Sequence, residues 1–341
     1  MTIRHLTNEK KYGDENPSQN AWFTDIVIIN LEQVTCCILE SKTRCSLSRR
    51  LLVLQKRWIT LSMSAPNCYL FEHQYAILQQ IEGYELFQSD FGKFPLSIGL
   101  KKSKSLPKSP FGGPLIQNGN KSDLFQWLDQ IISQVRSKTG QIEITLPISI
   151  YPTMEVDWML EYGFKKKFSD TSHYVDLIGF SESQLHNMEL RKLRSSSFDM
   201  ELLQLSKVEM IHSFIAQCRQ SQDLEINTSL ESLIAQITAF PESYLFYVAK
   251  SKGQLAAVCI ITLPVDNIAY YFLPATHPEF KSDSPMVSLM VYMYHHLKEK
   301  GIKYLDLGIS SIEGAPQESL ILFKEHMGGV RTNRHTLTID L

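Results

Sequence analysis

The sequence predicts an α/β chain whose mixed, mostly antiparallel sheet is flanked by helices and laid out twice in succession. Three observations predict it. Runs of period-two alternation, which suit half-buried strands, alternate along the chain with runs at helical spacing. The order strand, strand, strand, helix, strand, helix, strand occurs in both 63–180 and 181–341. Matching blocks close the two halves. Met159-Leu-Glu-Tyr-Gly-Phe164 precedes a strand ending His173-Tyr-Val-Asp-Leu177, and Lys324-Glu-His-Met-Gly-Gly-Val330 precedes one ending Leu337-Thr-Ile-Asp-Leu341. Duplication of this kind is an architectural signal, read before any local motif.

Length and composition agree with two domains behind an extension. The chain has 341 residues, 43% of them hydrophobic, enough apolar material for two cores. With 34 Lys+Arg against 36 Asp+Glu the formal net charge is -2, which offers no general attraction for DNA or a membrane surface. No run approaches the ~18 apolar residues of a bilayer span. The most apolar early run, Trp22 to Leu39, is interrupted by Asp25 and Glu32. The first residues are polar and show no secretory signal. The six cysteines form no CxxC pair, so reduced thiols and a cytoplasmic location are expected. No histidine pair has zinc spacing, and no metal is expected.

Residues 1–62 form the extension. Their nine Lys/Arg against six Asp/Glu give a charge of +3. Lys42–Arg57 mixes basic residues with Leu51, Leu52, Val53 and Leu54. It reads either as poorly structured chain or as a basic amphipathic helix, and Met63 stands as an alternative start.

From about Cys68 the pattern is regular. Tyr84–Phe91 and Phe94–Lys102 alternate as strands. Ser122 reads as the cap of a helix whose apolar face is Leu124, Trp127, Leu128, Ile131, Ile132 and Val135, stopped by Gly140. Ile142–Leu146 is a short strand, Thr153–Tyr162 a helix ended by Gly163, and Lys165–Leu177 a long closing strand. A charged, solvated helical linker, Ser183–Arg194, leads to the second half.

There Leu202–Cys218 reads as a helix and Ser229 as the cap of a second, ending at Phe240. Tyr244–Lys250, Gln254–Leu263 and Ile268–Leu273 are strands. Pairing should end at Pro274, which has no N–H to donate. Met286–Lys300 is a helix entered through Pro285, Ile302–Leu307 a strand, Glu318–Met327 a helix stopped by Gly328-Gly329, and Arg331–Leu341 the last strand.

These elements and four blocks carry a resemblance. The blocks are Pro110-Phe-Gly-Gly113, Glu189-Leu-Arg-Lys-Leu-Arg194, Gly301-Ile-Lys-Tyr-Leu-Asp-Leu-Gly308 and Leu322-Phe-Lys-Glu-His-Met-Gly-Gly329. From Cys68 to Leu341 the chain resembles the GNAT N-acetyltransferase superfamily, and its duplication is similar to the Fem-type aminoacyl/acyltransferases. The resemblance implies tandem GNAT-like domains, 63–180 and 181–341, the first degenerate. It also implies acyl transfer to an amine. The co-substrate would be acyl-CoA or aminoacyl-tRNA, with no permanently bound cofactor. The second domain would hold the donor, and the cleft between domains an amine acceptor such as a small metabolite or a cell-wall precursor.

The resemblance also suggests residues. Phe323 and Lys324 would line the donor channel, Lys324 stabilising an anionic transition state. Asp306 is a candidate general base, set opposite Leu305 and Leu307 by alternation. Tyr271 is a candidate general acid toward the leaving group. A splay between Ile268–Leu273 and Tyr304–Leu307 would open the channel. The loop Pro278–Pro285, where acetyl-CoA enzymes carry Q/R-x-x-G-x-G/A, has no glycine. Lys281 and Ser284 remain as phosphate contacts there, opposed by Glu279 and Asp283. Ser310 and Arg331 are further donor contacts, Arg334 a possible bidentate one. Phe111, Gly112 and Gly113 would border the acceptor. Arg191-Lys192-Leu193-Arg194 is either solvated linker or a phosphate contact for a tRNA acceptor end. No long heptad arm accompanies it. A non-catalytic binding protein that keeps the fold is the alternative, and acetyl-CoA-dependent acetylation a third reading.

Overall fold

The computed structural model describes residues 67–117 and 119–341, together with the backbone of two earlier strands. Those strands, β1 (Ile26–Leu31) and β2 (Val34–Leu39), pair antiparallel from Ile26↔Leu39 to Leu31↔Val34. The basic run Lys42–Arg57 and the alternative start at Met63 lie outside the described residues.

In the first half, helix α1 (His73–Leu78) leads to strands β3 (Tyr84–Gln88) and β4 (Gly92–Ser97), then to two-residue strands β5 (Ser103–Lys104) and β6 (Leu115–Ile116). Helix α2 (Lys121–Val135) buries the expected face from Leu124 to Val135. Its cap is Asn120 and not Ser122: the Asn120 side chain accepts from the Asp123 N–H, and Asp123 reaches back to the Asn120 N–H. That reciprocal box satisfies two free donors, which Ser122 inside the first turn does not do. Strand β7 (Gln141–Thr145), helix α3 (Val156–Tyr162) and strand β8 (Lys165–Asp176) complete the half.

The second half begins with helix α4 (Asn187–Arg194) and strand β9 (Asp199–Leu203). The helix expected over Leu202–Cys218 starts only at Val208, as α5 (Val208–Gln220). Leu202 and Leu205 fit a helical face, but the edge of β10 (Tyr244–Ser251) takes residues 199–203 as a strand, from Phe246↔Leu203 to Lys250↔Asp199. Helix α6 (Leu230–Ala239) is capped by Ser229, whose side chain accepts from the Ser232 N–H. Strands β11 (Gln254–Val265) and β12 (Ile268–Thr276), helix α7 (Pro285–Glu299), strand β13 (Tyr304–Ile309), the short pair β14 (Ser311–Ile312) and β15 (Ala315–Pro316), helix α8 (Glu318–His326) and strand β16 (Val330–Asp340) follow.

One sheet carries the unit of residues 63–341 in the order β3-β4-β5-β7-β16-β8-β13-β12-β11-β10-β9, with β6 beside β4. All its pairings are antiparallel except β5–β7 and β12–β13, one parallel pair in each half. One parallel pair in each half is consistent with the expected duplication. The closing strands, however, are exchanged. β8, the last strand of the first half, lies on β13 of the second. β16, the last strand of the second half, lies on β7 of the first, and β8 and β16 pair with each other between them. The sheet runs unbroken across the boundary expected at residue 180.

Alternation on the strands divides the core by faces. On β11, Val258 and Ile260 belong to the cluster with α5 and α6, while Ala257, Cys259 and Ile261 belong to the cluster around α7. Helix α7 is buried nearly all round, and a third cluster under α2 fills the first half.

A polar knot sits at the seam. The Arg334 guanidinium on β16 donates to Asp306 on β13 at 2.7 Å and to the Pro110 carbonyl at 3.1 Å. Tyr151 donates its hydroxyl to the same carboxylate at 3.1 Å, and the Gly308 N–H donates to the other oxygen at 2.8 Å. Asp306 and Arg334 are 0% and 3% exposed. Burial is the strongest single influence on Arg334 and opposes its charge, but Asp306 together with Tyr270 and Tyr151 holds the guanidinium above its ordinary value. Leaving a buried charge without its partner costs about 3–5 kcal/mol. Arg334→Met should therefore lower the urea midpoint strongly. The double variant Asp306→Leu/Arg334→Met should recover most of the loss, as a double-mutant cycle followed by circular dichroism would show.

Candidate active site

Strands β12 and β13 pair only over Ile268–Tyr270 and Tyr304–Asp306, and then part. The expected splay is thus present, but it opens at Tyr271 rather than at Pro274. β12 continues to Thr276 along β11, with Cys259 opposite Pro274. A residue lacking an N–H is tolerated because one flank of the strand has no partner. On the other side of the gap Gly308 has φ +72, and a Cβ there would lie 3.2 Å from the Tyr270 hydroxyl. Only glycine makes that turn at low cost.

The gap widens into a cavity of about 570 Å³. Its floor is apolar, formed by Met286, Val287 and Met290 of α7 with Leu307, Leu320 and Phe323. Lys192, Lys281 and Lys324 supply the charge, and among the described residues no Asp or Glu lines it. Five residues singled out from sequence meet here: Tyr271, Lys281, Ser284, Phe323 and Lys324. Glu279 and Asp283 are outside the lining set, so the expected opposition to Lys281 is not built into the wall. Ser284 stands at φ 53, in the left-handed region, between the turn Pro278–Asp283 and the first turn of α7.

Lys324 is the unusual side chain. It is 4% exposed, on the inward face of α8. Its Nζ donates to the carbonyls of Gly308 at 2.9 Å and Ile309 at 2.8 Å, where β13 peels away. Burial pushes its pKa down to about 7; Asp306 pulls upward and Arg334 downward. Tyr271 lies across the cavity with its pKa raised well above the ordinary value, chiefly by burial, so it stays protonated.

The other predicted residues are elsewhere. Asp306 faces away from the cavity into the knot with Arg334 and Tyr151, where its oxygens are occupied. Alternation placed it opposite Leu305 and Leu307, but that side is the seam between halves, and a carboxylate tied to a guanidinium is a poor base. Ser310 is 1% exposed and bonded to Nδ1 of His173 at 3.2 Å. His173 on β8 is fully buried and neutral; burial and then Lys324 bring its pKa down to about 4. Arg331 is exposed and paired with Glu325 at 2.8 Å. It borders a separate polar groove of about 510 Å³ with Asn333, His335, Ser149 and Glu155. Phe111 packs on Tyr151 with ring centroids 4.5 Å apart, and Gly112 donates to the Thr145 carbonyl. A Cβ at Gly112 would lie 2.6 Å from the Ser105 carbonyl oxygen. Phe111, Gly112 and Gly113 are therefore a buried clamp of the first half and no cleft lining.

Lys192, which the sequence leaves open between solvated linker and phosphate contact, is a wall residue of this cavity. The linker helix α4 reads as solvated, yet its Glu189 is 2% exposed and bonds Lys192 at 3.0 Å, which turns that lysine toward the cavity. The signal was the lone carboxylate three residues before a lysine in a basic run, an i,i+3 pair.

Residues 189–315 match the family model of an acetyltransferase (GNAT) domain. Three solved structures share the fold. FemX is 13% identical, over 84% of this chain and 96% of its own, with a TM-score of 0.61. The C-terminal (DUF2156) domain of a protein described as a lysylphosphatidylglycerol synthetase from Agrobacterium fabrum is 14% identical, over 83% and 90%, with a TM-score of 0.54. A conserved protein from Bacteroides thetaiotaomicron is 13% identical, over 88% and 98%, with a TM-score of 0.55. No curated protein sequence matches the chain. The chain thus has a GNAT-type, acetyltransferase-like fold. Among the described residues no helix is long and apolar enough to cross a membrane.

A buried ammonium costs stability. With a folded pKa near 7 against an unfolded ~10.4, Lys324 binds fewer protons in the folded chain between those values. Its penalty, on the order of 4 kcal/mol at ~1.4 kcal/mol per pKa unit, is complete below pH 7 and fades as pH rises toward ~10. Lys324→Met should therefore be more stable than the parent in urea at pH 6, and the difference should shrink by pH 9.

Proposed function

We propose that residues 63–341 form an N-acyltransferase that binds its acyl donor in the splay cavity of the second half. The observation that supports it most is Lys324, a nearly buried amine where the two parallel strands part. The donor would lay its acyl group on the floor of Met286, Met290 and Leu307. Lys281, Lys192 and the amino end of α7 would face its phosphate, without the usual glycine loop. An acyl-CoA and the 3′ end of an aminoacyl-tRNA both present an acyl group followed by phosphate.

The chemistry follows from the wall. Attack by an amine on the carbonyl develops negative charge on its oxygen, which the Lys324 ammonium and backbone N–H groups on the free flank of β12 would stabilise. Tyr271, held protonated, would deliver a proton to the leaving thiol or hydroxyl. With no carboxylate in the wall, the acceptor amine must enter already neutral or pass its proton on through Tyr271. Arg331, Asn333 and His335 border the groove on the far side of β16, which is the route proposed for a polar acceptor, either a small metabolite or a cell-wall precursor. A location in the cytoplasm, where both donors occur, belongs to the same proposal. A binding protein that kept the fold without the chemistry is the second reading, supported by the glycine-free loop.

A thermal-shift series on the full chain tests this with acetyl-CoA, a longer acyl-CoA, free CoA and a minimal aminoacyl-RNA mimic. At ~100 times its Kd a true donor adds about 2.7 kcal/mol. Stabilisation by one donor class, with Lys324→Ala still binding but losing at least ~100-fold in kcat, is the expected result. A cooperative melt that no donor moves would favour the binding-protein reading.

A further inference from the structure

We infer that Lys324 is itself an acylation site: its Nζ takes the acyl group of a bound donor when no acceptor amine is present. The inference rests on the donor reading of the cavity, but its chemical core stands on the geometry of the amine.

A neutral amine has two N–H groups and one lone pair. Lys324 has two acceptors, the carbonyls of Gly308 and Ile309 at 2.9 and 2.8 Å. Among the described residues no carboxylate oxygen lies within 4.0 Å of Nζ, so nothing there demands the ammonium form. Both N–H groups of the neutral form are satisfied by β13, which leaves the lone pair without a partner in a residue that lines the cavity. A surface lysine differs in both respects, being solvated and almost wholly protonated.

The charges around it are specific. Asp306 on β13 favours the ammonium and Arg334 on β16 disfavours it. His173 on β8 is neutral. Glu325 on α8 is engaged by Arg331, and Lys192 and Lys281 across the cavity add positive charge. Tyr271 on β12 keeps its proton. Burial and Arg334 work in one direction, and only Asp306, already tied to that guanidinium, opposes them. With its pKa brought down to about 7, Lys324 holds a substantial neutral fraction at pH 7, against less than ~0.1% for an ordinary lysine.

The step balances without a further reagent. The Nζ lone pair attacks the acyl carbon, a C–N bond forms, and the C–S or C–O bond to the carrier breaks. The carrier leaves as thiol or alcohol with the proton shed by nitrogen. The product is an ε-N-acyl-lysine amide. That amide is uncharged and keeps a single N–H, so it lacks the ammonium assigned to the transition state. Donor without acceptor would thus silence the site one molecule at a time.

The test uses p-nitrophenyl acetate on the full chain, because this ester reaches an amine without needing a recognised carrier. At pH 7 Lys324 should be acetylated at least ~10-fold faster than exposed lysines such as Lys252 and Lys300, resolved peptide by peptide by mass spectrometry. Its rate should rise with a midpoint near pH 7. The p-nitrophenolate burst of about one equivalent should vanish in Lys324→Arg. Lys324 modified no faster than exposed lysines, or with a midpoint near 10, overturns the inference, and this comparison needs no variant. Acetyl-CoA is run in parallel. Labelling by the ester without labelling or stabilisation by acetyl-CoA keeps the nucleophile and removes the CoA-donor reading. Stabilisation by acetyl-CoA with an inert Lys324 removes the nucleophile and keeps the donor.

Discussion

A carboxylate and a guanidinium withdrawn from water must be matched or the fold fails, and here the match spans the two halves. Asp306 belongs to the second half's parallel pair, Arg334 to the strand that crosses into the first, and Tyr151 and Pro110 to first-half loops. The knot fixes the register of β16 between β7 and β8. It also fixes the point where β13 stops following β12, since Asp306 is the last residue of that pairing. The cavity and the placement of Lys324 both depend on where that pairing ends.

The site built on this seam is expensive in a different currency. A lysine held by two carbonyls in an apolar wall is tolerated only where the surroundings leave no alternative, and strain of that kind concentrates where chemistry is performed. The carbonyls of Gly308 and Ile309 accept from Lys324 beyond the last β12 pair, while both residues stay paired with β8 after a register shift at Asp306/Gly308. One residue without a side chain thus sits just past the end of the β12–β13 pairing and supplies an acceptor to the amine.

Much of the fold was legible. Periodicity located α2, α7 and the four central strands of the second half to within a few residues, because burial there follows a single period. β9 was not legible, since Leu202 and Leu205 satisfy a helical face as well as a strand, and the vacancy beside β10 decides the matter. The strand exchange left no local trace either: β8 and β16 read as good strands whichever half receives them. At the site, Lys324 and Phe323 were reached through a resemblance in their block, whereas Asp306 was misplaced because alternation tells which side a residue takes and not what lies on that side. Phe111–Gly113 looked like a cleft loop because two glycines allow close approach; what approaches is the Ser105 backbone. Lys192 stayed undecided between solvated linker and phosphate contact because the charge of its own helix suits either.

The exchange of closing strands also orders events in time. β16 leaves the ribosome after every other described strand, yet it occupies the middle of the sheet, between β7 and β8. Until it arrives, β7 and β8 each present an open edge, and the first half cannot finish its sheet alone. Pairing Leu337 with Ile144 closes a loop of nearly the whole first-to-second-half distance, an entropic cost met late in folding. Between the emergence of β8 and that of β16 the nascent chain therefore carries open strand edges, and the lysines at 165–167 that open β8 place charge on one of them.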